Sequence, residues 1–262
     1  MTASNSFKFF PLFLLQLFVM NTHAQLRHIT SGVFHWADLP VKNEADRETR
    51  NIAEGTTAEF DYFEIHATTQ MKGAAPRPSH TQKDIEELII IKEGKAKCTI
   101  GNKISVLGAG SVILIPPLKS QAFENVGDGP LTYYVLMFRS RKPMNMERSN
   151  KAGGALLLDA DTITYTEKND RGTKKYFDRP TAMCENYEMH VSYMKHKGPS
   201  HTAHRHVDTE IILVIDGDMS MTIDGKDYKG SAGDLFIAES GEMHQVFNAA
   251  DKPCSYFAFK WR

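Results

Sequence analysis

The sequence has few cysteines, almost no net charge and a single long apolar run. Three cysteines, Cys98, Cys184 and Cys254, form no C-x-x-C pair and cannot form a framework of several disulfide bridges. The sequence does not exclude a single bridge between two of them. A formal net charge of −1 among 262 residues gives no bulk electrostatic reason to bind nucleic acid. Because no long segment has a convincing 3.6-residue period, the pattern disfavours helical bundles and alternating βαβ folds.

The one long apolar run, residues 9–20, lies close to the N-terminus. A short, weakly basic segment precedes it, and residues 22–24 place small side chains at −3 and −1 before Gln25. This layout is typical of a cleaved secretory signal. Residues 1–24 are therefore predicted to be a signal peptide, and the protein is predicted to be periplasmic or secreted. An uncleaved anchor is the alternative, but the run is shorter than the roughly 20 residues that hydrocarbon requires. No membrane span is expected after cleavage.

The chain repeats itself. A shift of 123 residues aligns 87–139 with 210–262 without a gap, and thirteen of the 53 positions are identical. Residue frequencies alone would give about three or four identities. With one added residue the match extends upstream, where Glu64-x-His66 meets Glu188-x-His190. The sequence therefore predicts a tandem duplication.

The duplication divides the chain into an N-terminal domain at 25–139, a polar linker at 140–154 and a C-terminal domain at 155–262. Each copy consists of short apolar or alternating runs between Gly and Asp turns. In the second copy the predicted strands are 210–215, 219–223, 235–238 and 244–247, with Asp224-Gly225 as a two-residue hairpin. Short strands at this spacing predict an all-β sandwich or barrel in each copy.

Three histidines and one glutamate in the second copy have the spacing of metal ligands. His204 and His206 would share one face of a strand, because side chains alternate with a period of two. Glu210 would lie about 13 Å from His206 in a straight strand, so a shared ion requires a bend at 207–209. His244 follows a later turn. Three imidazoles and one carboxylate without a thiolate suit Mn, Fe, Zn, Co, Ni or Cu better than a closed structural zinc site.

These residues resemble the two motifs of the cupin superfamily. The motifs are Gly198-x5-His204-x-His206-x3-Glu210-x6-Gly217 and Gly233-x5-Glu239-x-Gly241-x2-His244-x3-Asn248, with Glu239 where cupins usually carry proline. The resemblance implies two tandem cupin barrels, each a double-stranded β-helix of the RmlC-like jelly-roll type. It also implies one divalent metal ion in the second barrel, held by His204, His206, Glu210 and His244, with two coordination positions left free. The alternative is that these side chains only satisfy hydrogen bonds.

The first copy departs from the motif. Its aligned positions are His80, Gln82, Glu87 and Gln121, so two of the three imidazoles have become amides. An amide oxygen is a weak, hard ligand, and affinity for a late transition metal should fall. This barrel is expected either to be empty and structural or to bind a polar ligand or a harder ion. The shared Pro-Ser-His-Thr segments at 78–81 and 199–202 offer another register, which pairs His80 with His201.

Glu188, His190 and Glu239 are the candidates for a catalytic role. Glu188 and His190 share one face of a predicted strand that precedes the histidine cluster. Glu239 flanks the predicted mouth of the barrel, where it could act as an acid or a base. Ordinary packing in the barrel wall is the alternative for all three.

The resemblance implies a metal-dependent enzyme acting on a small oxygen-rich molecule such as a sugar acid, a keto acid or a phenolic. The reaction would be Lewis-acid isomerase, lyase or hydrolase chemistry, or a dioxygenase reaction. A non-enzymatic periplasmic binder of a metal or a sugar acid is the rival hypothesis. Oxalate decarboxylases usually keep metal ligands in both barrels, which this chain does not. The expected partner is a small molecule and not nucleic acid. The sequence does not decide whether the protein forms a homodimer.

Overall fold

A computed structural model describes residues 26–262, whose regular secondary structure is almost all β-strand. The predicted signal segment lies outside the described residues. The first eleven strands are β1 (Gly32–Phe34), β2 (Val41–Asn43), β3 (Arg47–Gly55), β4 (Phe60–Gln70), β5 (His80–Thr81), β6 (Glu86–Glu93), β7 (Lys95–Ile100), β8 (Lys103–Gly108), β9 (Val112–Ile115), β10 (Ser120–Asn125) and β11 (Leu131–Ser140). A 3-10 turn at Trp36–Asp38 follows β1.

A short helix and eleven further strands make up the rest of the described chain. They are α1 (Met146–Lys151), β12 (Leu156–Leu158), β13 (Tyr165–Lys168), β14 (Arg171–Arg179), β15 (Tyr187–Met194), β16 (Gly198–Pro199), β17 (Thr209–Asp216), β18 (Met219–Ile223), β19 (Lys226–Gly230), β20 (Leu235–Ala238), β21 (His244–Asn248) and β22 (Cys254–Trp261). The helix lies inside the predicted linker, and the Asn145 side chain caps it by accepting a hydrogen bond from the Arg148 amide at 2.8 Å.

Each half combines a seven-stranded sheet with a four-stranded sheet. The first pair has the orders β12-β9-β6-β11-β4-β3-β2 and β5-β10-β7-β8. The second pair has the orders β1-β20-β17-β22-β15-β14-β13 and β16-β21-β18-β19. The two pairs have the same design, as a duplicated chain requires. The prediction of an all-β chain with two jelly-roll barrels is confirmed.

The strand predictions in the second copy agree with the structure, with one exception. The hairpin forms at Asp224 and Gly225, whose φ angles of 44° and 79° are the positive values that a type I′ turn needs. The predicted strand through His204 and His206 is wrong, because only an isolated bridge joins His204 to His244. The chain leaves that pairing at once and bends at 207–208, the region where the sequence required a bend.

Alternate side chains of strand β17 point into two different core clusters. Ile212 and Val214 pack in the core inside the second barrel, whereas Ile211 and Leu213 pack in a larger core cluster that includes residues of both halves. Glu210 shares the inward face with Ile212, because residues two apart point to the same side of a strand. Burial on both faces explains why β17 is almost continuously apolar.

The two halves exchange strands near their starts. β1 pairs with β20 of the second half, and β12 pairs with β9 of the first half. The shared core adds further contacts, including the rings of Phe60 and Trp261, whose centroids are 5.3 Å apart. The Glu59 carboxylate also accepts hydrogen bonds from Thr209 at 3.0 Å and from the Trp261 indole at 3.2 Å. The domain boundaries at 139 and 155 stay a prediction. β1 and β12 each pair with a strand on the other side of these boundaries.

All three cysteines are buried and free, so none of them bridges another. Burial raises the pKa of the Cys98 thiol to about 12 and that of Cys254 to about 11, which makes both thiols weak nucleophiles. Within residues 26–262, no helix has the length and apolar character needed to cross a bilayer.

Candidate metal centre

The structure brings His204, His206, Glu210 and His244 together. Each offers one ligand atom, and these four atoms all lie within 4.8 Å of one another. His204 and His244 are joined by backbone hydrogen bonds of 3.1 and 2.8 Å, which hold the two rings side by side. The bend at 207–208 returns the chain so that Glu210, on β17, faces both His206 and His244. The predicted bend is therefore what makes the cluster possible.

Backbone carbonyl groups fix two of the imidazole rings. Nδ1 of His206 donates to the carbonyl of Asp208 at 2.9 Å, and Nδ1 of His244 donates to the carbonyl of Glu242 at 2.9 Å. The Nε2 atoms of these rings then face Oε2 of Glu210, at 3.2 Å from His206 and 2.9 Å from His244. A metal-ligating histidine commonly uses its other ring nitrogen in this way to set the tautomer and the ring orientation.

The cluster keeps its carboxylate ionised. Burial by itself would raise the pKa of Glu210, but hydrogen bonds from His206 and His244 outweigh it and hold that pKa well below its usual range. Burial would lower the pKa of His244, and the hydrogen bond to Glu210 reverses this, so that pKa is raised. For His204, burial and then the neighbouring His201 and His244 lower the pKa. Metal binding requires the same ionised carboxylate but neutral imidazoles, so a bound ion would replace the ring protons that face Glu210.

The donor set and its spacing fit one divalent transition metal ion. Ligand atoms about 2.1 Å from a shared ion lie at most about 4.2 Å apart, so 4.8 Å requires only small side-chain adjustments. Three imidazoles with one carboxylate form the mixed nitrogen and oxygen set that such ions prefer. His204, His206 and Glu210 also line a cavity of about 380 Å³, so a small molecule could reach the ion.

Two of the three catalytic candidates lie close to this cavity. His190 lines it, and burial lowers the pKa of its imidazole, so the ring is neutral near neutral pH. Nδ1 of His190 is 3.6 Å from Glu188, which in turn lies 3.7 Å from Nζ of Lys260. Glu188 therefore lies beside two lining residues without lining the cavity itself. Both roles stay predictions.

The structure does not bring Glu239 to this cavity. Its carboxylate is 2.6 Å from Nε2 of His28, and its backbone amide donates to the Ser31 hydroxyl at 2.9 Å. Both partners belong to the segment around β1, which crosses from the first half. The sequence pattern placed Glu239 at the barrel mouth because it could not show that the exchanged segment covers this turn.

Further polar residues line the cavity and were missed by sequence reasoning. They include Lys260, Ser200 and Tyr256, and the hydroxyl oxygens of the last two are 2.6 Å apart. Tyr256 and Lys260 lie on β22, which pairs with the β15 strand that carries His190. The period of two along a strand already places Tyr256 and Lys260 on the same face of β22. Which cavity that face lines becomes known only when the neighbouring strand is known.

The ligand positions of the first copy form a second, different cluster. His80 pairs with Gln121 between β5 and β10, just as His204 pairs with His244. This pairing supports the register that aligns His80 with His204 over the register that aligns it with His201. The Gln121 amide donates to Oε1 of Glu87 at 2.7 Å, where the second copy has an imidazole beside its carboxylate. Gln82 and His80 line the same cavity.

Comparisons with solved structures identify the same architecture. AerE from Microcystis aeruginosa has a TM-score of 0.65 at 13% identity, over 85% of this chain and 96% of that chain. An oxalate decarboxylase of Lactobacillus farciminis in a formate complex has a TM-score of 0.69 at 12% identity, over 91% and 88%. A Bacillus subtilis oxalate decarboxylase with Mn(II) centres has a TM-score of 0.64 at 15% identity, over 90% and 78%. No curated protein matches the chain in sequence.

The family model of the cupin domain matches the chain twice, at residues 66–137 and 190–260. The two matches together cover more than half of the chain, and each falls within one of the two barrels. The second match contains all four residues of the histidine and glutamate cluster, and the first contains their aligned counterparts. The chain belongs to the cupin domain family, with two cupin domains in tandem.

Proposed function

We propose that the protein is a metal-dependent enzyme with one divalent transition metal ion in its second barrel, acting on a small oxygen-rich carboxylate such as a sugar acid or a keto acid. The observation that carries this proposal is the convergence of His204, His206, Glu210 and His244 within 4.8 Å, beside a cavity of about 380 Å³. A bound divalent ion would supply Lewis-acid polarisation of a carbonyl or carboxylate oxygen.

The other lining residues are suited to holding and deprotonating such a substrate. The Lys260 ammonium has three N–H donors and, among the described residues, forms one ion pair, at 3.7 Å from Glu188, so it can also hold a substrate carboxylate. The hydroxyls of Ser200 and Tyr256 can bond a substrate hydroxyl. A neutral His190 can take a proton at a ring nitrogen, and Glu188 beside it would stabilise the charge that forms.

The structural neighbours support the substrate class. Two of them are oxalate decarboxylases, one in a formate complex and one with Mn(II) centres, and both share the two-barrel fold with this chain. The first barrel here has amides at two of the three histidine positions, which favours a single metal centre in the second barrel. We favour non-redox chemistry over an oxidative reaction.

A substrate screen tests the proposal. The full chain is reconstituted with Mn, Fe, Co or Zn and offered unsaturated uronates, keto acids, flavonols and oxalate, with products followed by NMR and oxygen by an electrode. We expect turnover of a carboxylate without oxygen uptake, loss of turnover in His206→Ala, and normal turnover in His196→Ala, which removes an exposed histidine of the same half. Turnover coupled to oxygen uptake would contradict the non-redox mechanism. No turnover across the panel would contradict the enzyme and favour a binding protein.

We also propose that the protein is exported and that Gln25 is its mature N-terminus. The apolar run and the small residues at 22–24 support this. Expression of the full-length gene in a Gram-negative host, followed by fractionation and N-terminal sequencing, tests it. A periplasmic product that begins at Gln25 is expected. A cytoplasmic product that keeps residues 1–24 would contradict it.

A further inference from the structure

The first barrel contains a polar cavity that lacks the ligand set of the second barrel. It has a volume of about 200 Å³, and its wall includes both glutamines of the altered motif together with Glu87. It also includes His66, His80, Arg77 and Gln70. If this barrel were only structural, apolar side chains would be expected to fill such a space. The chain instead places charged and amide groups there.

The chemistry of its neighbour fixes the orientation of the Gln121 side chain. Nε2 of Gln121 donates to Oε1 of Glu87 at 2.7 Å, and this leaves Oε1 of Gln121 facing elsewhere. Gln121 is 1% exposed, and its Oε1 has no donor among the described residues. A buried acceptor without a partner is destabilising, because the hydrogen bonds that it loses to water are not replaced. It is therefore an unfilled acceptor position on the wall of this cavity.

Gln70 supplies a second such position. Its Nε2 donates to the Tyr133 hydroxyl at 3.1 Å, which again leaves Oε1 as the free end of the amide. Gln70 is 2% exposed, and its Oε1 also has no donor in the part of the chain that the structure describes. Both glutamines and Tyr133 line the one cavity. The pair of acceptors calls for a ligand that brings two O–H or N–H donors.

The charges around the cavity favour an anion over a cation. The basic side chains that line it are Arg77, His66 and His80, against one carboxyl group, Glu87, which already accepts the N–H of Gln121. Arg77 lies at the exposed rim and, among residues 26–262, makes one hydrogen bond, to Glu44 at 3.3 Å, so other guanidinium N–H groups are available there. A carboxylate is the natural partner of these donors.

We propose that the first barrel is a binding site for a small polyhydroxylated carboxylate. The hydroxyl groups of the ligand would donate to Oε1 of Gln121 and of Gln70 after a small rotation of each amide, because the structure leaves neither atom accessible to solvent, and Arg77 would bind its carboxylate at the rim. Drug-sized ligands occupy pockets of about 300–1,000 Å³, so a cavity of about 200 Å³ fits a molecule no larger than a monosaccharide acid. This site is separate from the metal cluster and does not depend on the proposed reaction.

Isothermal titration calorimetry with D-gluconate tests the proposal. The protein is the full chain in its His204→Ala/His206→Ala form, so that the second barrel cannot contribute through a metal ion, and chelator-treated wild type serves as a second preparation. We expect one site per chain. Sorbitol, which lacks the carboxylate, and hexanoate, which lacks the hydroxyls, are expected to bind at least about tenfold more weakly.

Two variants locate the binding. Gln121→Met removes one acceptor at similar volume, and Arg77→Gln removes an exposed guanidinium without disturbing the core; each should weaken gluconate binding by about tenfold or more. Lys103→Gln, an exposed change elsewhere on the same barrel, should leave it unchanged. The proposal is overturned if gluconate shows no saturable binding in the low-millimolar range, or if sorbitol and hexanoate bind equally well. It is also overturned if Arg77→Gln and folded Gln121→Met bind normally. Binding of Ca²⁺ or Mn²⁺ alone that Gln121→Met abolishes would make this a cation site and overturn it too.

Discussion

Glu86 and Glu87 are adjacent but face opposite sides of β6. Glu87 points into the first barrel, whereas Glu86 points toward the second half and accepts hydrogen bonds from the Thr181 hydroxyl at 2.7 Å and the Met183 amide at 2.8 Å. The other Glu86 oxygen is buried and has no donor among the described residues. Burial raises the pKa of Glu86 from 4.5 to about 7.

This raised pKa predicts a specific pH dependence. The folded protein holds the Glu86 proton more tightly than the unfolded chain does, so this residue favours folding at low pH. Its contribution falls as the pH rises from about 4.5 to about 7. Glu86→Gln removes the effect, and its stability relative to the wild type should rise between pH 5 and pH 8 by on the order of 2–3 kcal/mol. Urea unfolding of both proteins at the two pH values measures this. A stability difference that is the same at both would contradict it.

At the scale of the elements, local strands could be predicted from sequence and their partners could not. β18 and β20 have the bounds that alternation and turn residues predict, and the Asp224-Gly225 hairpin is in place. The exchange of β1 and β12 was not predictable, because a three-residue apolar run carries no information about which barrel it joins. For the same reason the sequence could not show that the exchanged segment around β1 contacts Glu239.

The candidate ligands were predictable because their motif has fixed spacing. His204, His206, Glu210 and His244 were identified from spacing and resemblance, and the structure brings them together. The cavity wall was not predictable, because Tyr256 and Lys260 reach it through the pairing of β22 with β15 and β17. A contact across strands depends on register, which is set by the whole barrel.

The strand exchange predicts that the two halves stay associated after the chain is cut between them. A protease site inserted between β11 and α1 leaves β1 in the second barrel and β12 in the first. Because each fragment completes the other's sheet, the cut protein should elute from a sizing column as one species of unchanged size. An uncut sample with the same insertion is the control. Separation of the fragments without denaturant would show that the exchange contributes little to stability.

At the scale of the whole molecule, the core predicts cooperative unfolding. One cluster of buried residues includes Phe60 and Phe138 of the first half and Tyr187 and Trp261 of the second half. Loss of either barrel would expose this cluster. We expect a single thermal transition that is the same by far-UV circular dichroism and by tryptophan fluorescence. Two resolved transitions would contradict this.

Metal content shows most directly whether the second barrel holds a single metal centre. Elemental analysis of the full chain, loaded with a divalent transition metal ion and then desalted, should find about one ion per chain in the wild type and in His80→Ala. It should find almost none in the His204→Ala/His206→Ala protein, with circular dichroism confirming that this variant folds. Undiminished metal in the double variant, or loss of half the metal in His80→Ala, would contradict a single centre in the second barrel.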